Sequence, residues 1–175
     1  MSQAKPLRIS TCNIEDARVI DLDYFEDHRG VYVEIYNAEL YDAQNLPRFV
    51  QDDYSISRRH VLRGLHGDQD TWKLITCPIG EIYFVVLDLR EKSPSFGTWQ
   101  SFVISEHNHR QILVPPGCAN GHLVMSERAM FHYKQSTYYS KNQFTVRWDD
   151  PKHKIWWPIA SPILSRRDQA GQYVD

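Results

Sequence analysis

Short segments spread along the chain hold side chains of complementary chemistry: Arg63-Gly64-Leu65-His66, then Lys73, then Tyr133-Lys134, and finally Ser165-Arg166-Arg167-Asp168. Histidine exchanges a proton near neutral pH, and it serves as a base when a partner on its second ring nitrogen fixes the tautomer. Asp168 is a candidate for that partner. Lys73 can hold negative charge that develops on an oxygen, and Tyr133 can give up a proton from its neutral resting form. A base, an anion stabiliser, an acid and an orienting carboxylate suit proton removal beside a carbonyl. Arg63, just before the histidine, carries a planar fork that matches phosphate oxygens in paired hydrogen bonds. It is the candidate clamp for a pyrophosphate, whereas Arg58 and Arg59 read as solvated loop residues.

Each of these residues also has an ordinary structural reading. His66 ends an apolar run after Gly64 and fits a half-buried strand histidine; Lys73, between Trp72 and Leu74, fits an edge lysine that blunts strand pairing. Tyr133 shares a strand face with Phe131 and Gln135, where core tyrosines are common. Asp168 fits a solvated acid at a helix end. The residues alone leave both sets of readings open.

The elements that must position them read as β-structure. Apolar stretches are short, rich in β-branched and aromatic residues, and punctuated by Gly, Pro, Asn and Asp, the pattern of an all-β sandwich or barrel. Residues 31–36, 61–65, 72–77, 82–90, 99–104, 111–114 and 129–138 are the expected strands. Turns are expected at Pro78-Ile79-Gly80, Ser93-Pro94-Ser95-Phe96-Gly97 and Pro115-Pro116-Gly117. Helix is expected only at 38–45 and from Ser165 onward. A length of 175 residues, 42% of them hydrophobic, suffices for one buried core, so a single domain over 1–175 is expected. The net charge of -2 gives no reason to expect a nucleic-acid or membrane surface as partner. Cys12, Cys77 and Cys118 have no metal-site spacing and leave an odd thiol in any pairing scheme, so reduced thiols in a cytoplasmic protein are expected. No apolar run approaches the ~20 residues needed to span a bilayer.

The chain resembles the nucleotide-sugar 3,5-epimerases typified by dTDP-4-dehydrorhamnose 3,5-epimerase. The likeness is carried by Phe25-Glu26-Asp27-His28-Arg29-Gly30 with Glu34, Phe49-Val50-Gln51-Asp52, Val61-Leu62-Arg63-Gly64-Leu65-His66 and Lys73-Leu74. It continues through Gly80-Glu81, Asp88-Leu89-Arg90, Ser93-Pro94-Ser95-Phe96-Gly97-Thr98-Trp99, Tyr133-Lys134, Ile155-Trp156-Trp157-Pro158 and Leu164-Ser165-Arg166-Arg167-Asp168. It implies an all-β, cupin-like jelly-roll barrel with short helices in the N-terminal third and at the C-terminus, and a homodimer in which an N-terminal strand crosses to the neighbour. It also implies inversion of C3, C5 or both in a nucleotide-diphospho-4-keto-sugar without metal or redox cofactor. His66 would be the base, Asp168 its orienter, Lys73 the enolate stabiliser and Tyr133 the acid. Arg63, Gln51, Asn120, His122 and Tyr139 would meet substrate, Tyr139 about 20 Å beyond Tyr133 if the strand stays extended. Arg29 and Glu34 would reach a nucleotide bound to the neighbouring subunit.

Departures from the family pattern fall at expected substrate positions: Asn120 stands where members carry histidine, Phe84 where they carry an aspartate near the lysine, and Asp53 where they carry asparagine. Phe84 removes a carboxylate that could orient Lys73. His66-Gly67-Asp68, Tyr133-Lys134 and Gln143-Phe144-Thr145 resemble the branch acting on GDP-linked 4-keto-heptoses in capsule synthesis, so the nucleotide is GDP or dTDP and the sugar a heptose or hexose. Two other classes are a metal cupin, either dioxygenase or sugar isomerase, and a non-catalytic sugar-binding module. A metal cupin needs a histidine pair and a carboxylate converging on one ion. His66 has no histidine two residues on, and His107-Asn108-His109 reads as a polar loop. His66→Asn is therefore expected to abolish exchange at every centre while chelation leaves activity intact. Activity lost to a chelator and restored by a divalent ion would favour the metal cupin.

Overall fold

The computed structural model describes residues 7–139 and 142–174. One antiparallel sheet has the spatial order β1 (Arg8–Thr11), β2 (Arg18–Asp21), β10 (Arg110–Val114), β7 (Lys73–Ile79), β12 (Arg128–Gln135) and β5 (Gln51–Arg58). The facing antiparallel sheet has the order β13 (Phe144–Thr145), β6 (Leu62–Gly67), β11 (Cys118–Val124), β8 (Glu81–Asp88) and β9 (Trp99–Ser105). A separate hairpin joins β3 (Tyr24–Asp27) to β4 (Gly30–Val33), and the helices are α1 (Ala38–Asp42) and α2 (Arg166–Gln169). This is the expected cupin-like jelly roll. No helix among the described residues is long and apolar enough to cross a membrane.

Alternation along the strands assigns side chains to three apolar layers. Ile75 and Cys77 of β7, Phe84 and Val86 of β8, Val124 of β11 and Phe131 of β12 meet between the sheets. Tyr83, Val85 and Leu87 point the other way and are covered by the C-terminal segment through Ile155 and Trp157. On the outer face of the first sheet, Ile20, Leu74 and Leu113 lie beneath Tyr41 of α1. Both helices are short and begin at side-chain caps: Asn37 accepts from the Glu39 N–H, and Ser165 from the Asp168 N–H.

The expected strands are present with shifted ends; β12 stops at Gln135 rather than running to 138. The sequence reading passed over β5 and β11, which wall the cavity. β5 is inverted, with Tyr54 and Ile56 exposed and Ser55 and Ser57 turned inward, so no apolar stripe marks a core face. In β11 the Asn120-Gly121 pair looks like turn punctuation, yet Gly121 lies mid-strand because a Cβ there would stand 2.9 Å from the Arg63 carbonyl oxygen.

That close approach belongs to an irregularity that places the site. Opposite β6, Asn120 pairs with His66 and His122 with Arg63, so two steps on β11 match three on β6. Residues an odd number apart face opposite sides of a regular strand; the extra residue returns Arg63 and His66 to one face. Gly64 takes the strain, with φ +130° and its Cα against Gly121, where a Cβ would meet the Gly121 Cα at 2.6 Å. Gly64→Ala is accordingly expected to cost roughly 2–4 kcal/mol of stability. Thermal unfolding within about 2 °C of wild type would show that β6 and β11 separate freely.

Candidate active site

A cavity opens between the two sheets at one end of the barrel, lined by Arg63, His66, Lys73, Asn120, His122, Tyr133, Tyr139 and Arg167 among others. His66 and Arg63 come from the five-stranded sheet, and Lys73 and Tyr133 from the six-stranded one. His66 and Tyr133 therefore stand on different sheets around one space.

His66 Nε2 lies 2.6 Å from Asp168 Oδ1, a contact that ties β6 to α2 across 102 residues of chain. Asp168 is only 2% exposed, and its other oxygen accepts the Ser165 hydroxyl at 2.8 Å while its backbone N–H donates to the same hydroxyl. Burial alone would raise this carboxyl, but the hydrogen bond and charge of His66, the Ser165 hydroxyl and the Arg167 charge outweigh it and hold the acid below its ordinary value. An ionised Asp168 is an acceptor, so His66 Nε2 donates to it, an arrangement that selects the neutral tautomer with its lone pair on Nδ1. Asn120 Nδ2 donates to the His66 carbonyl at 2.9 Å, fixing the strand from the other side.

Lys73 is 7% exposed; burial, with the Arg167 charge, pulls its ammonium below the ordinary lysine value, and Asp68 opposes that pull. Asp68 Oδ2 stands 3.4 Å from Nζ. Phe84 lacks a carboxylate and lies fully buried in the core rather than among the residues lining the cavity; the carboxylate beside Lys73 is that of Asp68. On the neighbouring strand β12 of the same sheet, burial and then the charges of Asp53 and Tyr139 raise the Tyr133 hydroxyl, against a smaller opposing effect of Arg63, so it stays protonated near neutrality. Asp53 itself accepts from Gln51 at 2.6 Å and Gln135 at 2.8 Å.

Other expected contacts divide. Arg63, held by Nε donation to the Ser57 hydroxyl at 3.1 Å, lines the cavity. His122 is 2% exposed, stacks on Phe131 at 4.1 Å, and is pushed down to about 3 by burial and by Arg63 and His66, so it is neutral. Because β12 ends early, Tyr139 does not lie 20 Å along a continuing strand; it lines the same cavity as Tyr133 and its N–H donates to Gln51 at 2.8 Å. Gln51 thus buttresses Tyr139 rather than lining the cavity. Arg29 and Glu34 lie elsewhere: Arg29 pairs with Asp27 at 2.6 Å on the β3–β4 turn, and Glu34 accepts from Asn37 at 3.2 Å. Sequence reading missed Asp68 and Arg167. Arg167 is tethered to Thr145 and Gln143, the former opposite His66 in register. The signals were position alone: Asp68 two residues after the histidine, Arg167 one before the aspartate. Among the described residues no group of three or more His, Cys, Asp or Glu is placed to hold a metal ion, and the His109 ring instead packs at a tilt against Tyr24.

A family model described as dTDP-4-dehydrorhamnose 3,5-epimerase matches residues 11–175. A Pseudomonas aeruginosa protein named dTDP-4-dehydrorhamnose 3,5-epimerase is 39% identical over 91% of this chain and 91% of its own. The Bacillus anthracis dTDP-4-dehydrorhamnose 3,5-epimerase, solved with TDP and pyrophosphate bound, is similar at TM-score 0.92 and 36% identity, covering 96% of this chain and 99% of that one. A Legionella pneumophila dTDP-6-deoxy-D-glucose-3,5-epimerase solved with dTDP-4-keto-L-rhamnose matches at TM-score 0.90 and 35% identity, over 95% and 92% of the two chains.

Because the folded Asp168 carboxyl is depressed, its stabilisation is present above the ordinary carboxylate value and is lost as pH falls through the folded one. Asp168→Asn should therefore fold, cost roughly 1–3 kcal/mol near neutral pH, and converge with wild type in acid. Denaturant titrations at several pH values measure this; a gap that is constant in pH would show that the carboxylate is not ionised in the fold.

Proposed function

The chain belongs to the dTDP-4-dehydrorhamnose 3,5-epimerase family, and on that premise we propose that it inverts carbons beside the ketone of a dTDP-4-keto-6-deoxy-hexose during deoxysugar biosynthesis. The observation that carries the reading is a histidine oriented by a buried carboxylate on one sheet, facing a protonated tyrosine on the other. The C4 ketone acidifies both neighbouring carbons. His66 Nδ1 takes the proton while Asp168 holds Nε2–H and stabilises the imidazolium that forms; the electron pair passes to the ketone oxygen, which Lys73 meets as an enolate. Tyr133 delivers a proton to the opposite face of the same carbon, and inversion results.

Arg63 and Arg167 flank this space and suit the pyrophosphate. Asn120, His122 and Tyr139 line it as contacts for the sugar and nucleotide, with Gln51 acting through Tyr139. A GDP-linked 4-keto-heptose is the second substrate to try, on the likeness of His66-Gly67-Asp68, Tyr133-Lys134 and Gln143-Phe144-Thr145 to that branch. A homodimer is supported by the exposed Tyr54 and Ile56 on edge strand β5 and by the exposed Phe25, Val31 and Tyr32 of the β3–β4 hairpin. β1 pairs with β2 of its own chain, so the hairpin, carrying Arg29, is the better candidate for the N-terminal element that crosses toward the neighbour's nucleotide, with Glu34 following it. Cys12, Cys77 and Cys118 are free thiols, which fits a reducing cytoplasm.

Incubation in heavy water with both nucleotide sugars tests the reading, since each inverted centre gains a mass unit. Tyr133→Phe should take up deuterium without accumulating epimer, because the enolate recaptures its proton from the histidine side. A Phe variant that epimerises at close to the wild-type rate would return Tyr133 to a core role.

A further inference from the structure

Asp68 occupies an unusual position for a loop carboxylate. It follows β6 directly, two residues after His66, and its side chain is 5% exposed. Its backbone is pinned by Gly117, whose N–H donates to the Asp68 carbonyl at 2.8 Å. Its Oδ1 accepts the N–H groups of Asp70 at 3.1 Å and Thr71 at 2.7 Å, which leaves Oδ2 toward the Lys73 ammonium. A loop that needed only its turn closed would be served by Oδ1; the second oxygen is spent on the lysine, and both partners lie out of water.

We propose that Asp68 is the positioning residue for Lys73, holding its ammonium charged and in place to meet the enolate oxygen, a task no carboxylate on β8 performs in this chain. The inference rests on the epimerase reading above. An ammonium shut away from water gains little by staying charged unless a fixed negative group stands beside it. The charged and titratable groups around Lys73 are Asp68 from the β6–β7 loop, Arg167 from α2, Arg63 and His66 from β6 and Tyr133 from β12, with Asp53 of β5 behind the tyrosine. Of these, Asp68 is the acid in contact with it, and Arg167 acts the other way. Burial raises the Asp68 carboxyl, while Thr71, the Lys73 charge and the two N–H groups lower it further, so it is ionised wherever Lys73 needs it. The same carboxylate ties Lys73 to the strand that carries the base, so base and anion stabiliser share one support.

The test is the pH dependence of turnover with the dTDP-4-keto sugar. Asp68→Asn keeps an oxygen for the Asp70 and Thr71 N–H groups but loses the charge, so Lys73 should deprotonate earlier. The alkaline limb should move toward acid by about 1–3 pH units while the acid limb stays in place. Asp68→Glu should restore part of the shift. In a Lys73→Met background, Asp68→Asn should lower kcat no further. A variant lowered equally at every pH, or one that lowers kcat further in the Lys73→Met background, would make Asp68 a structural loop residue and overturn the proposal. If Asp68→Asn does not fold, Asp68→Ser, which also keeps an oxygen acceptor, reads the same limb; failure of both to fold assigns Asp68 to the loop alone. Wild type that exchanges no deuterium with any 4-keto nucleotide sugar would instead remove the epimerase reading, an outcome distinct from each of these.

Discussion

The hydrogen bond between His66 and Asp168 is the contact on which the rest of the site depends. It joins a barrel strand to the four-residue helix α2. A helix that short has little intrinsic stability, and its order comes from the Ser165 cap and from packing of the C-terminal segment over the outer face of the five-stranded sheet. The aromatic and aliphatic cover provided by Ile155, Trp157 and Leu164 therefore has a chemical consequence. It brings a buried carboxylate to a strand histidine and sets which ring nitrogen is free.

A second constraint is the facing of the sheets. A base and an acid on one strand face would approach a sugar from one side and could only exchange its proton in place. With His66 on one sheet and Tyr133 on the other, a ring held in the cavity between them would meet the two on opposite faces, which is the condition for the proposed inversion. The irregularity in β6 adds a guanidinium to the same wall: it turns Arg63 and His66 the same way although their spacing is odd. Gly64 and Gly121 accommodate it by letting two backbones approach where side chains would collide.

Much of this is legible in the residues, and what is not has physical reasons. The β-character, the turns at Ser93-Pro94-Ser95-Phe96-Gly97 and Pro115-Pro116-Gly117, and the His66, Lys73, Tyr133 and Asp168 set follow from local chemistry or family likeness. β5 and β11 escape because they line a polar cavity: their inward residues are Ser55, Ser57, Asn120 and His122, and a strand facing a binding site loses the apolar stripe that marks a strand facing a core. The end of β12 at Gln135 is set by its ladder with β5 and β7, so the place of Tyr139 cannot be measured along the sequence. Asp68 escapes because its partner, Lys73, is chosen by how a loop folds rather than by spacing along a strand.

Asp168 should fix His66 as the tautomer with a bare Nδ1. Nitrogen-15 correlation spectra of the ring nitrogens, with His66 assigned by its loss in His66→Asn, measure this directly. The account predicts that neutral His66 carries hydrogen on Nε2 and none on Nδ1. A proton on Nδ1, or averaging between the two nitrogens, would mean that the carboxylate does not hold the ring and that the base lies elsewhere.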